Sequence, residues 1–242
     1  MPSPGEDQAR AAGLLVTANR AAVYGLVSRW LMHDLRGPAQ ALSLVSDLVE
    51  HGDSPTDPAV RASLQEAAGR LRHLLDLLDG VLRVPAALAD PQPVALREPV
   101  GFVVALLGCC RLQVELEARE ALEPLLPAVR GANEPIAHAL LNLVVNACEA
   151  VAASGGGTVR LAAGVAPGGD LVRLVVSDDG AGVPPELRER LFEPFTTTKA
   201  GRSLAGLGLP VARQLAEQLG GTVRYEPGEP GARFVLELPV WR

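Results

Sequence analysis

Lysine is nearly missing from this chain: Lys199 stands alone among 22 basic residues, while Ala, Gly, Pro and Arg abound, a base-composition bias to which no function attaches. Cysteine is scarce too. There are three, an odd number, with Cys109 and Cys110 adjacent. Neither a disulfide framework nor a metal cluster is suggested, and a reducing compartment is expected. Excess positive charge is also lacking. A net charge of −6 argues against nucleic acid as a partner. No uninterrupted apolar run reaches the length of a membrane span, and no basic stretch followed by an apolar core opens the chain. The expectation is a cytoplasmic protein without membrane insertion.

What is present is a chain of 242 residues, 48% of them apolar, enough for one large domain or two small ones. Apolar residues at Leu31, Leu35, Pro38, Leu42, Val45 and Val49 alternate four and three apart, which predicts a helix with a packing seam. His33 is off that seam. At roughly 100° per residue it lies about 200° from Leu31, facing solvent or a visiting partner. Asp34 beside it can take the Nδ1 proton and leave Nε2 as a nucleophile. By itself the pair also fits a solvated helix face, and Pro38 a simple kink.

The Ala-rich stretch from Asp7 to Trp30 extends this helix backwards or forms a short helix packed on it, with no room for a sensory domain. His51 to Pro58 breaks the helix, with Thr56 or Asp57 as a cap and Pro58 in the first turn of the next. That second helix carries Leu64, Ala68, Leu71, Leu75, Leu78 and Leu82 as a matching seam. Two seams predict an antiparallel hairpin. Leu74, Leu77 and Val81 widen its apolar surface, and a two-fold dimer forming a four-helix bundle is the simplest cover. His73 on this helix reads as a surface or packing residue.

Val84 to Pro93 reads as a linker by its prolines. Beyond it the periodicity mixes, as in an α/β domain with helices on one face of a mixed sheet. Helices are expected at 98–108, 135–153 (capped by Asn133) and 207–219. Strands are expected at 112–117, 128–130, 158–166, 171–177, 222–225 and 233–238, with Pro167 to Asp170 as a hairpin turn.

Four stretches of this region stand in order. In Leu140-Leu-Asn-Leu-Val-Val-Asn-Ala-Cys-Glu-Ala150, Asn142 and Asn146 lie four apart on one helical face, costly in apolar surroundings unless bonded, to backbone or to a ligand. In Val175-Val-Ser-Asp-Asp-Gly-Ala-Gly-Val183 a strand runs into Asp178, which can accept from an exocyclic amine, while Gly180 and Gly182 admit a flat ring; a tight turn is the alternative. Leu191-Phe-Glu-Pro-Phe-Thr-Thr-Thr-Lys199 holds two of the four Phe and leads into a polar run shaped like a lid. Gly206-Leu207-Gly208-Leu209 opens a helix, where free backbone N–H groups suit phosphate.

In this order the stretches resemble the asparagine, first glycine, phenylalanine and second glycine boxes of histidine kinases. Leu31 to Pro38 resembles the same family's histidine box, and the match runs from about Leu31 to Leu238. The likeness is to the branch that includes nitrogen-regulatory kinases. It implies an α plus α/β fold: a helical dimerisation and phosphotransfer domain over 1–83, a linker over 84–96, and an ATP-binding sandwich of the Bergerat (GHKL) type over 97–242. It implies ATP and Mg²⁺ as cofactors, with Asn146 on the metal, Asn142 on the nucleotide, Asp178 on adenine with Gly180 and Gly182 beside it, and Gly206, Leu207, Gly208 and Leu209 around the phosphates. Lys199 or Arg202 would approach the γ-phosphate, and His33 would attack it with Asp34 as base.

The resemblance further implies a homodimer and a response-regulator receiver domain as acceptor; because the amino-terminal stretch has no room for a sensory domain, its helix is expected to join the sensor module of a separate protein. Asn142 stands where gyrase, HSP90 and MutL relatives and serine kinases place a catalytic Glu, which favours a histidine nucleophile. Gly37 replaces the Thr or Asn that positions water for dephosphorylation, Leu204 replaces a usual Gly, and Glu149 occupies a position basic in some kinases. The alternatives from other classes are a non-catalytic histidine phosphotransfer protein and an ATP-binding regulatory adaptor. The retained Asn146, Asp178, Gly182, Gly206 and Gly208 argue against the first.

Overall fold

In the computed structural model, residues 4–50, 58–82, 91–108, 114–117, 126–197, 206–228 and 230–242 are described. Helix α1 runs unbroken over Pro4–Glu50, with Pro38 inside it. The stretch before Trp30 is therefore the backward extension of the seam helix and not a separate short helix. At 1.5 Å per residue the rod is about 70 Å long. Helix α2, Pro58–Leu82, packs against it. The proposed cap at Thr56 or Asp57 lies outside the described residues.

The inward face of α2 differs from the predicted seam. Leu74 is 1% exposed and Ala67 is buried, whereas Leu75 is 51% exposed. The reason is a second neighbour: α2 also meets α3, Arg97–Gly108, so the face turned inward lies between two partners rather than against α1 alone.

The remaining elements are β1 (Gln92–Val94), β2 (Val114–Glu117), β3 (Val129–Gly131), α4 (Asn133–Ala153), β4 (Gly157–Val165), β5 (Leu171–Asp178), α5 (Gly208–Gln218), β6 (Thr222–Pro227) and β7 (Ala232–Pro239). A five-stranded sheet has the order β2-β4-β5-β7-β6, parallel at β2–β4 and antiparallel elsewhere. Strand β1, in the stretch its prolines marked as linker, pairs antiparallel with β3 in a small second sheet. Pro can sit in such a strand because an edge leaves its missing N–H unused. A 3₁₀ turn at Pro185–Arg190 had no periodic signal in the sequence.

Helices α4 and α5 cover the sheet, and α3 packs on α4. Strand β5 shows how the sequence sets this layer. Its residues alternate half-buried and buried, so Val172, Leu174, Val176 and Asp178 share the helix-facing side. The carboxylate thus inherits the inward phase of the valines before it. On the outer face Glu237 accepts hydrogen bonds from Arg173 Nε at 2.7 Å and Arg224 Nη2 at 2.9 Å, joining three strands.

Helix α4 is the centre of the core, with Ile136, Leu140, Leu143, Val144, Ala147 and Val151 fully buried. Among the described residues it is the one helix long and apolar enough to cross a membrane, and 72% of its apolar window is buried inside the protein. Asn133 does not cap it. Ala132 holds the cap position, and the Asn133 amide instead donates to Glu98 Oε2 at 2.6 Å. The first turn of α4 is tied to the first turn of α3 by that bond.

Candidate functional site

A cavity of about 540 Å³ opens between α4, the end of β5 and the start of α5. Its size falls within the range of pockets that hold small organic ligands. Asn142, Asn146 and Glu149 enter it from α4, spaced by four and three residues and therefore on one face. Asp178 enters from the end of β5 and Gly182 from the loop after it, with Gly206 from the turn before α5 and Gly208 and Leu209 from its first turn.

Asn142 is 2% exposed, and its two ends do different things. Nδ2 donates to the His138 carbonyl at 3.0 Å. Oδ1 is buried and has no hydrogen-bond partner among the described residues. A Cβ built on Gly208 would lie 3.4 Å from that oxygen, so it faces the first turn of α5. The backbone-bonded reading of this amide is correct for the nitrogen, and the ligand reading remains for the oxygen.

Asp178, 5% exposed, accepts from Gly180 N at 3.0 Å and Ala232 N at 3.3 Å through Oδ1. Two N–H groups on one oxygen hold the carboxylate in place at the cavity wall. Next in sequence, Asp179 accepts from Thr158 N at 2.8 and 3.0 Å and anchors the start of β4 instead. Gly180 and Leu207 do not line the cavity. Gly180 packs on the Ala150 backbone, and Leu207 is buried at 1% exposure. Gly206 has φ +80°, and a Cβ there would meet the Phe195 backbone at 2.7 Å. Phe195 N donates to Gly206 O at 3.0 Å, and Phe195 itself has φ 66°, the one positive value outside glycine among the described residues. This clamp ties the phenylalanine stretch to the glycine turn. Strained backbone of that kind persists only where neighbours over-determine it.

Lys199 and Arg202 lie outside the described residues. His33 and Asp34 belong to the described backbone of α1, while their side chains lie outside the described part. Sequence reasoning missed the wall that α1 contributes: Asn19, Ala22, Val23 and Leu26 line the same cavity. Their spacing, on one helical face, was the available signal, hidden by an Ala-rich stretch with little apolar contrast. Asn19 Oδ1 lies 3.1 Å from His138 Nε2, and the Tyr24 ring stands 5.6 Å from the His138 ring. Burial, and then the nearby Arg20 cation, pushes the His138 pKa down to about 4. Burial pushes the Tyr24 hydroxyl up, and it pushes the Cys148 thiol up to about 12, aided by Glu149.

Residues 131–242 match the family described as histidine kinase-, DNA gyrase B-, and HSP90-like ATPase. The chain is 30% identical over 236 residues to the C4-dicarboxylate transport sensor protein DctB of Rhizobium meliloti (strain 1021), covering 93% of this chain and 36% of that protein. It is 29% identical over 235 residues to the sensory histidine kinase/phosphatase NtrB of Rhizobium leguminosarum bv. phaseoli, covering 90% of this chain and 58% of that one. Residues 131–242 belong to that ATPase family, and the chain as a whole is similar to sensor histidine kinases. It spans from about a third to under two thirds of the length of these relatives. Among solved structures, the catalytic domain of histidine kinase ThkA aligns with TM-score 0.52 at 27% identity over 63% of this chain and 99% of that one. The family's ATP-binding fold therefore accounts for the sandwich, and the cavity sits where Asn142, Asn146, Asp178 and the glycine turn converge.

Proposed function

We propose that this chain is an ATP-dependent protein histidine kinase that phosphorylates its own His33 and passes the phosphoryl group to an aspartate on a response-regulator receiver domain. The observation that carries the reading is the convergence of Asn142, Asn146, Asp178, Gly182, Gly206 and Gly208 on one cavity of about 540 Å³. Asp178, held by two backbone N–H groups, keeps a carboxylate oriented for an exocyclic amine of adenine. The unpartnered Asn142 Oδ1 and the Asn146 amide offer oxygens of the kind a hard cation or its waters take. These residues fit Mg²⁺ bound with the nucleotide phosphates, and the cation would neutralise charge developing on the transferred group. The N–H groups at the start of α5 would hold the phosphate oxygens.

In this reading His33 Nε2 attacks the γ-phosphorus in line, the bond from that phosphorus to the bridging oxygen breaks, and ADP leaves. Asp34 takes the Nδ1 proton of the imidazolium. Transfer onward breaks the P–N bond as a carboxylate oxygen of the acceptor forms a new P–O bond. The chain would work as a homodimer, with the exposed Leu75 face of α2 covered by its copy.

The experiment is transfer of labelled γ-phosphate from Mg-ATP to the purified protein beside His33→Ala and Asn146→Ala. Acid-labile, base-stable label lost in both variants is the expected result. Tight ATP binding with no label in the wild type would replace this reading with the regulatory adaptor.

A further inference from the structure

The cavity has a wall that lies outside the ATP-binding sandwich. Asn19, Ala22, Val23 and Leu26 of α1 stand at i, i+3, i+4 and i+7, one continuous helix face. The fit there is close. Asn19 is 3% exposed and Val23 7%, on a helix whose neighbouring positions are half-buried or exposed. Asn19 and His138, each buried, complete one another across 3.1 Å. Arg20 lies 5.3 Å from the Tyr24 ring centre, and Tyr24 in turn meets the His138 ring. Buried polar groups need such partners, so separating α1 from α4 would leave an amide and an imidazole to rehydrate. Helix α5 also contacts α1, which makes the docking a three-helix contact.

His33 stands one heptad beyond Leu26 and two beyond Asn19 on the same unbroken helix. Helical drift of about 20° per heptad leaves it within roughly 40° of their phase, and about 10 Å past Leu26 along the axis. By helical phase along the backbone, position 33 thus falls on the side of α1 that docks the ATP-binding domain.

We propose that Asn19 and His138 are positioning residues that hold the ATP-binding domain on the His33 face of its own chain, so that phosphorylation proceeds within one protomer. This rests on the histidine kinase reading for its chemical meaning; the docking itself does not. Neither residue touches the reacting atoms. Their contribution is the approach geometry, on which rate depends steeply.

Three measurements on the full chain test it. With Cys109 and Cys110 replaced by Ser, the pair Tyr24→Cys and Glu134→Cys, at a half-buried and an exposed position beside the intact Asn19–His138 contact, is treated with a short bismaleimide; an intrachain product on a denaturing gel is expected, and only interchain product, or none, overturns the docking. An equimolar mixture of His33→Ala and Asn146→Ala chains, allowed to exchange, should take no label, because neither chain holds both halves of the site. Label on the Asn146→Ala chain overturns phosphorylation within the protomer. Asn19→Ala should lower kcat at least tenfold while the ATP Kd changes less than about threefold, and Asn19→Asp, which still accepts from His138, should recover most of the rate. Equal loss in both variants, or a change confined to Kd, overturns the positioning role. A wild type that takes no label overturns the kinase reading itself, an outcome the cross-link separates from failure of docking.

Discussion

Asn142 and His138 occupy successive turns of one helix and are both nearly fully buried, yet they answer to different surfaces. Asn142 spends its N–H on the His138 carbonyl and keeps an oxygen for the cavity. Replacing it by Leu should weaken ATP binding by tenfold or more in calorimetry, while thermal stability changes by only about 1 kcal/mol, the net value of one neutral hydrogen bond. His138 is held neutral. Its pKa falls from 6.5 to about 4 on folding, so between these values the unfolded chain binds more protons than the folded one. Stability is then full above pH 6.5, declines as pH falls towards 4, and is lower at pH 5 than at pH 7 by about 2 kcal/mol. Urea unfolding at the two pH values checks this, and His138→Gln should flatten the difference. Cys148, with its thiol pushed to about 12 by burial, should resist alkylation at pH 8 until the protein unfolds.

At the scale of elements, two joints keep the cavity in shape. The turn before α5 depends on Gly206, whose φ of +80° and contact with the Phe195 backbone exclude a side chain. Gly206→Ala should lower the melting temperature and cost about 1–2 kcal/mol from the backbone conformation alone, with a larger loss of ATP affinity because the phosphate-facing N–H groups move with the turn. The sheet has its own joint in Glu237, which binds Arg173 on β5 and Arg224 on β6. Glu237→Ala removes the carboxylate bound by Arg173 and one of the two bound by Arg224, which keeps Glu226; both guanidinium groups are about 40% exposed, so the expected loss is about 1 kcal/mol, read in chemical denaturation. These element-level positions were legible only in part. Alternation in β5 predicted its inward side and so placed Asp178, whereas β1 and the 3₁₀ turn carry Pro in patterns that no periodicity marks.

For the whole molecule, the α1 rod is shared between two tasks. It packs with α2, and through Asn19 to Leu26 it also walls the cavity of the ATP-binding sandwich. The proposed dimer belongs at this scale. Leu75, 51% exposed, should sit in its interface, and Leu75→Glu should shift the chain from dimer to monomer in light scattering without altering ATP affinity. A face rotated away from the simplest hairpin seam is the cost of meeting α3 as well as α1.

The order of motifs along the chain, the inward phase of β5, the amide pair on α4 and the glycine turn before α5 are properties of local periodicity and side-chain chemistry, and the sequence alone determined them. It also determined that the helix bearing His33 has a face free of its seam. What lies against that face is a long-range matter. Asn19 and His138 are 119 residues apart, and nothing in the composition around either one marks a partner. Only the tertiary structure decided that α1 walls the cavity, that Leu207 and Gly180 stand outside it, and that Asn133 binds Glu98 instead of capping its helix. In each case the physical reason is the same: a polar group takes the partner that packing brings within reach, and packing is settled by the whole chain.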